Sequence, residues 1–145
     1  MIRTLLAAAA LALALPAMAQ MSPVGLWRNV DDQTGETKGE IRIEADAAGG
    51  GALHGVIAKV LKDDAKANCD ACTDDRKGKP VLGLEIIRGA KKAEGQDLWE
   101  GGTILDPENG KTYRLTLRPQ DGGSRLQVRG YIGPFYRTQV WIREP

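Results

Sequence analysis

The sequence predicts an all-β fold, an antiparallel up-and-down β-barrel of about eight strands. Short runs of alternating apolar and polar residues begin at Val24 and continue to the chain end. Clusters of Gly, Asp, Asn and Pro interrupt these runs at fairly even spacing, and the 3.6-residue period of an amphipathic helix is scarcely visible. The chain has 145 residues, 42% hydrophobic and 27% charged, which suits one globular domain.

The expected strands follow in order: Gly25–Val30, Gly39–Glu44, Ala52–Val60, Leu98–Leu105, Thr112–Arg118, Arg125–Ile132 and Thr138–Arg143, with an eighth from Leu82–Arg88. Glu40–Glu44 and Tyr113–Arg118 show the period of two most cleanly, one apolar face each. Between the strands, Gly49-Gly50-Gly51 and Asp121-Gly122-Gly123 supply positive φ at little cost. Asp106-Pro107-Glu108-Asn109-Gly110 pairs a proline-set φ with an Asn-Gly reversal. Leu61–Pro80 is the exception: a polar connection containing both cysteines, long enough for a lid, a binding loop or a short helix. Seven or eight such strands form either a sandwich or a closed barrel, and the meander of hairpins favours closure, which leaves no exposed edge. A barrel of eight strands is just wide enough to be filled by side chains or to hold one small ligand.

The N-terminus reads as a secretory signal peptide over residues 1–19. Arg3 is its positive start, Leu5–Leu15 its apolar stretch and Ala17-Met18-Ala19 its cleavage site, so residues 20–145 form the single exported domain. Removing Arg3 leaves basic and acidic residues equal in number. No other stretch approaches the roughly 18 apolar residues of a transmembrane helix, and no cysteine follows the cleavage site to take a lipid. The expected location is periplasmic or secreted.

Gly25-Leu26-Trp27, opening the first strand, resembles the Gly-x-Trp start of lipocalins and related calycins; Arg137 or Arg143 is then the basic residue expected to pack over the tryptophan. The chain is similar, more specifically, to the secreted bacterial proteins of domain-of-unknown-function family 2147. The resemblance rests on Gly25-Leu26-Trp27, Cys69-Asp70-Ala71-Cys72, Pro80–Leu84, Trp99–Pro107, Gly110–Tyr113, Val128–Gly133 and Arg137–Trp141. It implies a lipocalin-like barrel exported to the periplasm or beyond, and no particular reaction.

Few residues offer catalysis. Cys69 and Cys72 form a lone Cys-x-x-Cys that admits a structural disulfide, a redox pair or half a zinc site. Acidic residues crowd the segment and disfavour a reactive thiolate, and the single histidine, His54, stands at no recognised metal spacing, so an exported protein points to the disulfide. No metal or cofactor is expected. With Ser22, Ser124 and one histidine, a serine triad has almost no material. The carboxylate pairs Asp31-Asp32 and Asp74-Asp75 fall in loops where water screens their repulsion, so no pKa shift is expected there. Aromatic residues lie in or beside the strands, as core or as the wall of a cavity. In Gln139–Arg143 the tryptophan shares a face with Gln139 and Arg143, which is either the outside or a polar-rimmed cavity. From Lys111 to Pro145 seven basic residues face two acidic ones, a local excess that would attract anions.

These readings converge on a non-enzymatic, exported binding protein that holds a small apolar or amphipathic molecule. Trp27, Trp99, Tyr113, Tyr131 and Trp141 are its candidate wall residues, with Arg129 or Arg137 to anchor an acidic group. The competing reading is an envelope interaction or inhibitor protein that binds another protein through residues 61–80. An enzyme would need His54 and a carboxylate to meet in a pocket. Nucleic acid is not an expected partner, since the balanced charge and the absence of a binding motif disfavour it.

Overall fold

Eight antiparallel strands join in strict sequence order, and the last closes on the first to complete a barrel in the computed structural model, which describes residues 21–145. The expected signal peptide lies outside the described residues. The strands are β1 (Gly25–Val30), β2 (Thr37–Ala45), β3 (Leu53–Val60), β4 (Glu85–Lys92), β5 (Trp99–Leu105), β6 (Thr112–Gln120), β7 (Arg125–Ile132) and β8 (Phe135–Arg143). One short 3₁₀ turn, Asp121–Gly123, completes the secondary structure of the described residues, and no helix among them is long and apolar enough to cross a membrane.

The expected strands are all present, with shifted ends. β8 begins at Phe135, three residues before the expected start, because it pairs with β7 down to the Ile132–Phe135 hairpin. β4 begins at Glu85: Leu82–Leu84 instead end the long connection, where Gly83 has φ +85° and Leu84 turns into the core. Closure is brief, through Trp27 opposite Arg143 and Arg28 opposite Ile142.

Alternation places one side of every strand inside. Trp27, Ile41, Ile43, Leu53, Ile87, Leu115, Leu117, Leu126 and Trp141 are almost wholly buried there. The interior is divided along its axis. At one end, near the β2–β3, β4–β5 and β6–β7 turns, Trp27 plugs the barrel and donates its indole N–H to the Pro23 carbonyl at 2.7 Å. The Arg143 guanidinium lies 4.2 Å from the Trp27 ring centre and donates to the carbonyls of Gly123 (2.6 Å), Val24 (2.8 Å) and Ser22 (2.6 Å). Of the two arginines expected over this tryptophan, it is Arg143. Gly25 makes the arrangement possible: its φ is +140°, and a Cβ there would strike Arg143.

The opposite end carries the 31–36 loop, the 61–84 connection and the β5–β6 and β7–β8 turns. Cys69 and Cys72 form a disulfide, both residues are fully buried, and the described residues include no free cysteine. The connection contains no helix. It is held instead by an Asn68–Pro80 bridge, by Val81 and Leu84 in the core, and by Arg76, only 3% exposed, which pairs with Asp74 (2.6 Å) and donates to the Glu85 carbonyl (2.9 Å). Its disulfide loop rests on the β5–β6 turn, where Gly110 has φ +74° and a Cβ would collide with the Ala71 carbonyl oxygen.

Candidate functional site

The barrel is hollow towards the loop-bearing end. A cavity of about 450 Å³ opens between the 61–84 connection and the β7–β8 hairpin, within the roughly 300–1,000 Å³ range of small-molecule sites. Ile41, Ile57, Val81, Ile104, Val128 and Trp141 supply much of its apolar wall. Trp141 is 1% exposed, and its indole N–H donates to Gln139 Oε1 at 2.9 Å, so the large ring is buried without leaving a polar atom unpaired. The face shared by Gln139 and Trp141 is therefore the cavity face.

Ion pairs join the loops around the mouth. Arg137 donates to Asp32 Oδ1 (2.7 Å) and reaches Asp31 Oδ2 (3.4 Å). Lys38 bridges Asp31 (3.2 Å) and Glu108 (3.0 Å), and Lys62 holds the other Glu108 oxygen at 2.6 Å. Asp64 lies 3.7 Å from Lys62 as well, so four carboxylates pair with these three cations. The backbone N–H of Thr34, followed by that of Gln33 and the Lys38 ammonium, holds the Asp31 carboxyl well below the usual range despite its burial. Arg137 lowers Asp32 in the same direction, and Lys62 and Lys38 lower Glu108. Lys59 and Lys66 also line the mouth and make no ion pair among the described residues.

The expectation of unshifted carboxylates is corrected on both loops. Water does not simply screen them: Asp31 is 7% exposed and saturated with donors, Arg76 brings Asp74 down to about 2, and Arg88 lowers Asp75. All of these shifts favour the ionised form, the opposite of what a general acid needs.

Of the seven expected ligand-contact residues, Tyr113, Arg137 and Trp141 line the cavity. Trp27 and Trp99 do not: Trp27 is the plug, and Trp99 is a core residue opposite Leu117, with Lys92 Nζ 5.8 Å from its ring centre. Arg129 and Tyr131 are on the outer surface, because Val128 and Gly130 take the inward positions of β7. Arg129 donates to Thr138 Oγ1 at 2.8 Å and covers the Tyr136 ring at 4.5 Å. Arg137 does face the cavity, with its guanidinium already engaged by two carboxylates. His54 sits at the plugged end on the β2–β3 hairpin, its Nδ1 2.9 Å from Asp46, away from the cavity lining.

The sequence reading missed Asn29, Lys38, Lys59, Lys62 and Glu108 at the mouth. The signal available for Lys38 and Lys59 was their place at the ends of apolar-alternating strands. Nothing local pairs Lys38 with a residue 70 positions away.

Residues 25–143 match the model of the family DUF2147, described as an uncharacterized protein conserved in bacteria. No curated protein matches the sequence. Among solved structures, the chain is similar to protein HP1028 from the human pathogen Helicobacter pylori, described as belonging to the lipocalin family. The TM-score is 0.68 at 14% identity, covering 84% of this chain and 82% of that one. At that identity the likeness establishes a lipocalin-like fold.

Proposed function

The chain belongs to the DUF2147 family, and we propose that it is an exported carrier that holds one small amphipathic molecule in the barrel cavity. The observation that carries this reading is the cavity of about 450 Å³, walled by aliphatic side chains and Trp141, closed below by Trp27 and open only among the loops. An apolar body fills the interior, and an acidic group sits at the mouth. Arg137 is already neutralised by Asp31 and Asp32, so the acidic group is met by Lys59 and Lys66. The 61–84 connection serves as a cavity wall through Val81, Lys62 and Lys66, which supports the carrier reading over a loop given to a protein partner. Binding rather than catalysis fits a mouth whose carboxylates are held ionised and a histidine placed outside it.

Export is supported by the apolar 5–15 segment with its Ala17-Met18-Ala19 end, and by a disulfide, which persists in oxidising compartments. Native mass spectrometry of the gently purified protein tests both parts. The expected spectrum shows a chain starting at Gln20 with a bound mass that is lost on denaturation. Bare protein that also fails to alter its tryptophan emission with long-chain carboxylic acids would overturn the carrier reading.

A further inference from the structure

The open end also carries apolar residues that border the cavity mouth yet stand largely in water. At the β7–β8 hairpin, Ile132, Phe135 and Tyr136 are 53%, 73% and 61% exposed. Val60 and Leu61, at the end of β3 on the same rim, are also exposed. Large side chains project into water here at a cost that a soluble surface does not normally concentrate in one place.

The outer surface beneath this tip is basic and free of carboxylates. Arg114 and Arg118 on β6 and Arg125 and Arg129 on β7 face outward, and β6, β7 and β8 hold no acidic residue. Near the tip the outward positions form a ladder, Arg114 opposite Tyr131 and Tyr131 opposite Tyr136. The two tyrosine rings lie 5.8 Å apart, Arg114 is 5.4 Å from the Tyr131 ring centre, and Arg129 is 4.5 Å from that of Tyr136. Neither arginine has a carboxylate partner among the described residues: Arg114 reaches the Gly133 carbonyl and Arg129 reaches Thr138. Most acids of the nearby rim are engaged by cations, Asp31 and Asp32 by Arg137, Glu108 by two lysines and Asp64 by Lys62, while Asp106 accepts the Glu108 backbone N–H.

We propose that the β7–β8 hairpin docks the barrel mouth onto an anionic phospholipid bilayer, with Ile132 and Phe135 entering the acyl boundary and Arg114 and Arg129 meeting lipid phosphates. The order of the groups along the hairpin is that of a membrane interface: aliphatic and phenyl groups outermost, then tyrosines, then arginines. A protein partner would have to bring carboxylates to two arginines and an apolar socket to a protruding tip; a bilayer of anionic lipid supplies both at any point of its surface. Docking in this orientation would bring the cavity mouth to the lipid, where amphipathic molecules reside.

The test is sedimentation of the chain from Gln20 onward, which contains every strand, with vesicles of phosphatidylcholine alone or mixed with phosphatidylglycerol. Binding to the mixed vesicles is expected to be about 25-fold tighter, roughly fivefold for each arginine at the surface. Arg114→Gln with Arg129→Gln should abolish that preference. Ile132→Ser with Phe135→Ser should weaken binding to both vesicles by at least about tenfold. All four positions lie outside the core, and an unchanged far-ultraviolet spectrum confirms the fold of each variant. In Phe135→Trp, the added emission should move to the blue with mixed vesicles and be quenched by brominated lipid. The proposal is overturned if neither vesicle sediments the protein, if the serine variant binds as well as the parent, or if soluble glycerol phosphate displaces it completely. The readout needs no cavity ligand, so a bare spectrum in native mass spectrometry and a failure to sediment are separate results.

Discussion

Replacing Arg143 with methionine isolates the closed end of the barrel from its cavity. The methionine keeps an apolar stem over Trp27 and removes the guanidinium, which donates to three carbonyls at 2.6–2.8 Å and lies 4.2 Å from the indole. Hydrogen bonds from a charged donor contribute about 1.5 kcal/mol or more each, and a partly desolvated cation–π contact about 1 kcal/mol. Solvent can recover part of this, since Arg143 is only half-buried, so the expected loss is about 3–5 kcal/mol. With a urea slope of about 2 kcal/mol per molar, the unfolding midpoint should fall by about 2 M. Equilibrium unfolding followed by near-ultraviolet circular dichroism measures it. Arg143→Lys should recover less than half, because one ammonium cannot fork to three carbonyls around a ring face. Ligand affinity should stay within a factor of about two, since the substitution lies at the far end of the barrel axis. A loss under about 1 kcal/mol, with the slope unchanged, would refute the account of the plug.

The remaining expectations concern acid, the disulfide and the mouth. Asp31, Asp32 and Asp74 have folded-state pKa values below the ordinary 3.8, so their contribution is present above about pH 4 and is lost as pH falls, for Asp74 towards about 2. Urea midpoints measured from pH 5 to pH 2 should decline steadily, and Asp31→Asn should flatten the decline; a midpoint independent of pH would contradict the pairing. Converting Cys69 and Cys72 to serine should cost about 2 kcal/mol, as expected for closing a four-residue loop, with the barrel spectrum retained. Thiol titration of the unreduced protein should find no free sulfhydryl, and two reactive thiols would contradict the pairing. Lys59→Gln with Lys66→Gln should weaken a long-chain carboxylate by roughly tenfold in calorimetry and leave the corresponding alcohol unaffected. Equal loss for both ligands would move the acidic group elsewhere.

The fold was legible because each strand carries its own code. Ile41 and Ile43, and Leu115 and Leu117, alternate with polar neighbours, and only closure gives every such strand a partner on both sides. Gly25-Leu26-Trp27 was legible for the same local reason: the glycine, the tryptophan and a distant arginine form one packing unit. The cavity was less so. The inward parity of Val128 and Gly130 was available in the sequence and places Arg129 and Tyr131 outside, yet their charge and ring favoured a binding role on composition alone. The mouth was not readable at all, since Arg137 meets Asp32 across 105 positions and Lys38 meets Glu108 across 70. Such pairs are set by which loops share an end of the barrel. The burial of Asp31 arises there as well, because the donors that stabilise its carboxylate come from a turn and a strand packed together at the rim.

The claim on which the rest depends is that the barrel interior accepts a guest against Val128 and Trp141. Its most direct measurement is an equilibrium titration with the apolar fluorophore N-phenyl-1-naphthylamine, carried out in parallel on the parent protein and on Val128→Phe, which narrows the cavity from within. The expected result is saturable binding at one site per chain in the parent, quenching of Trp141 emission, and an affinity at least about tenfold lower in the variant. No saturable enhancement in the parent, or identical titrations for both proteins, would contradict it.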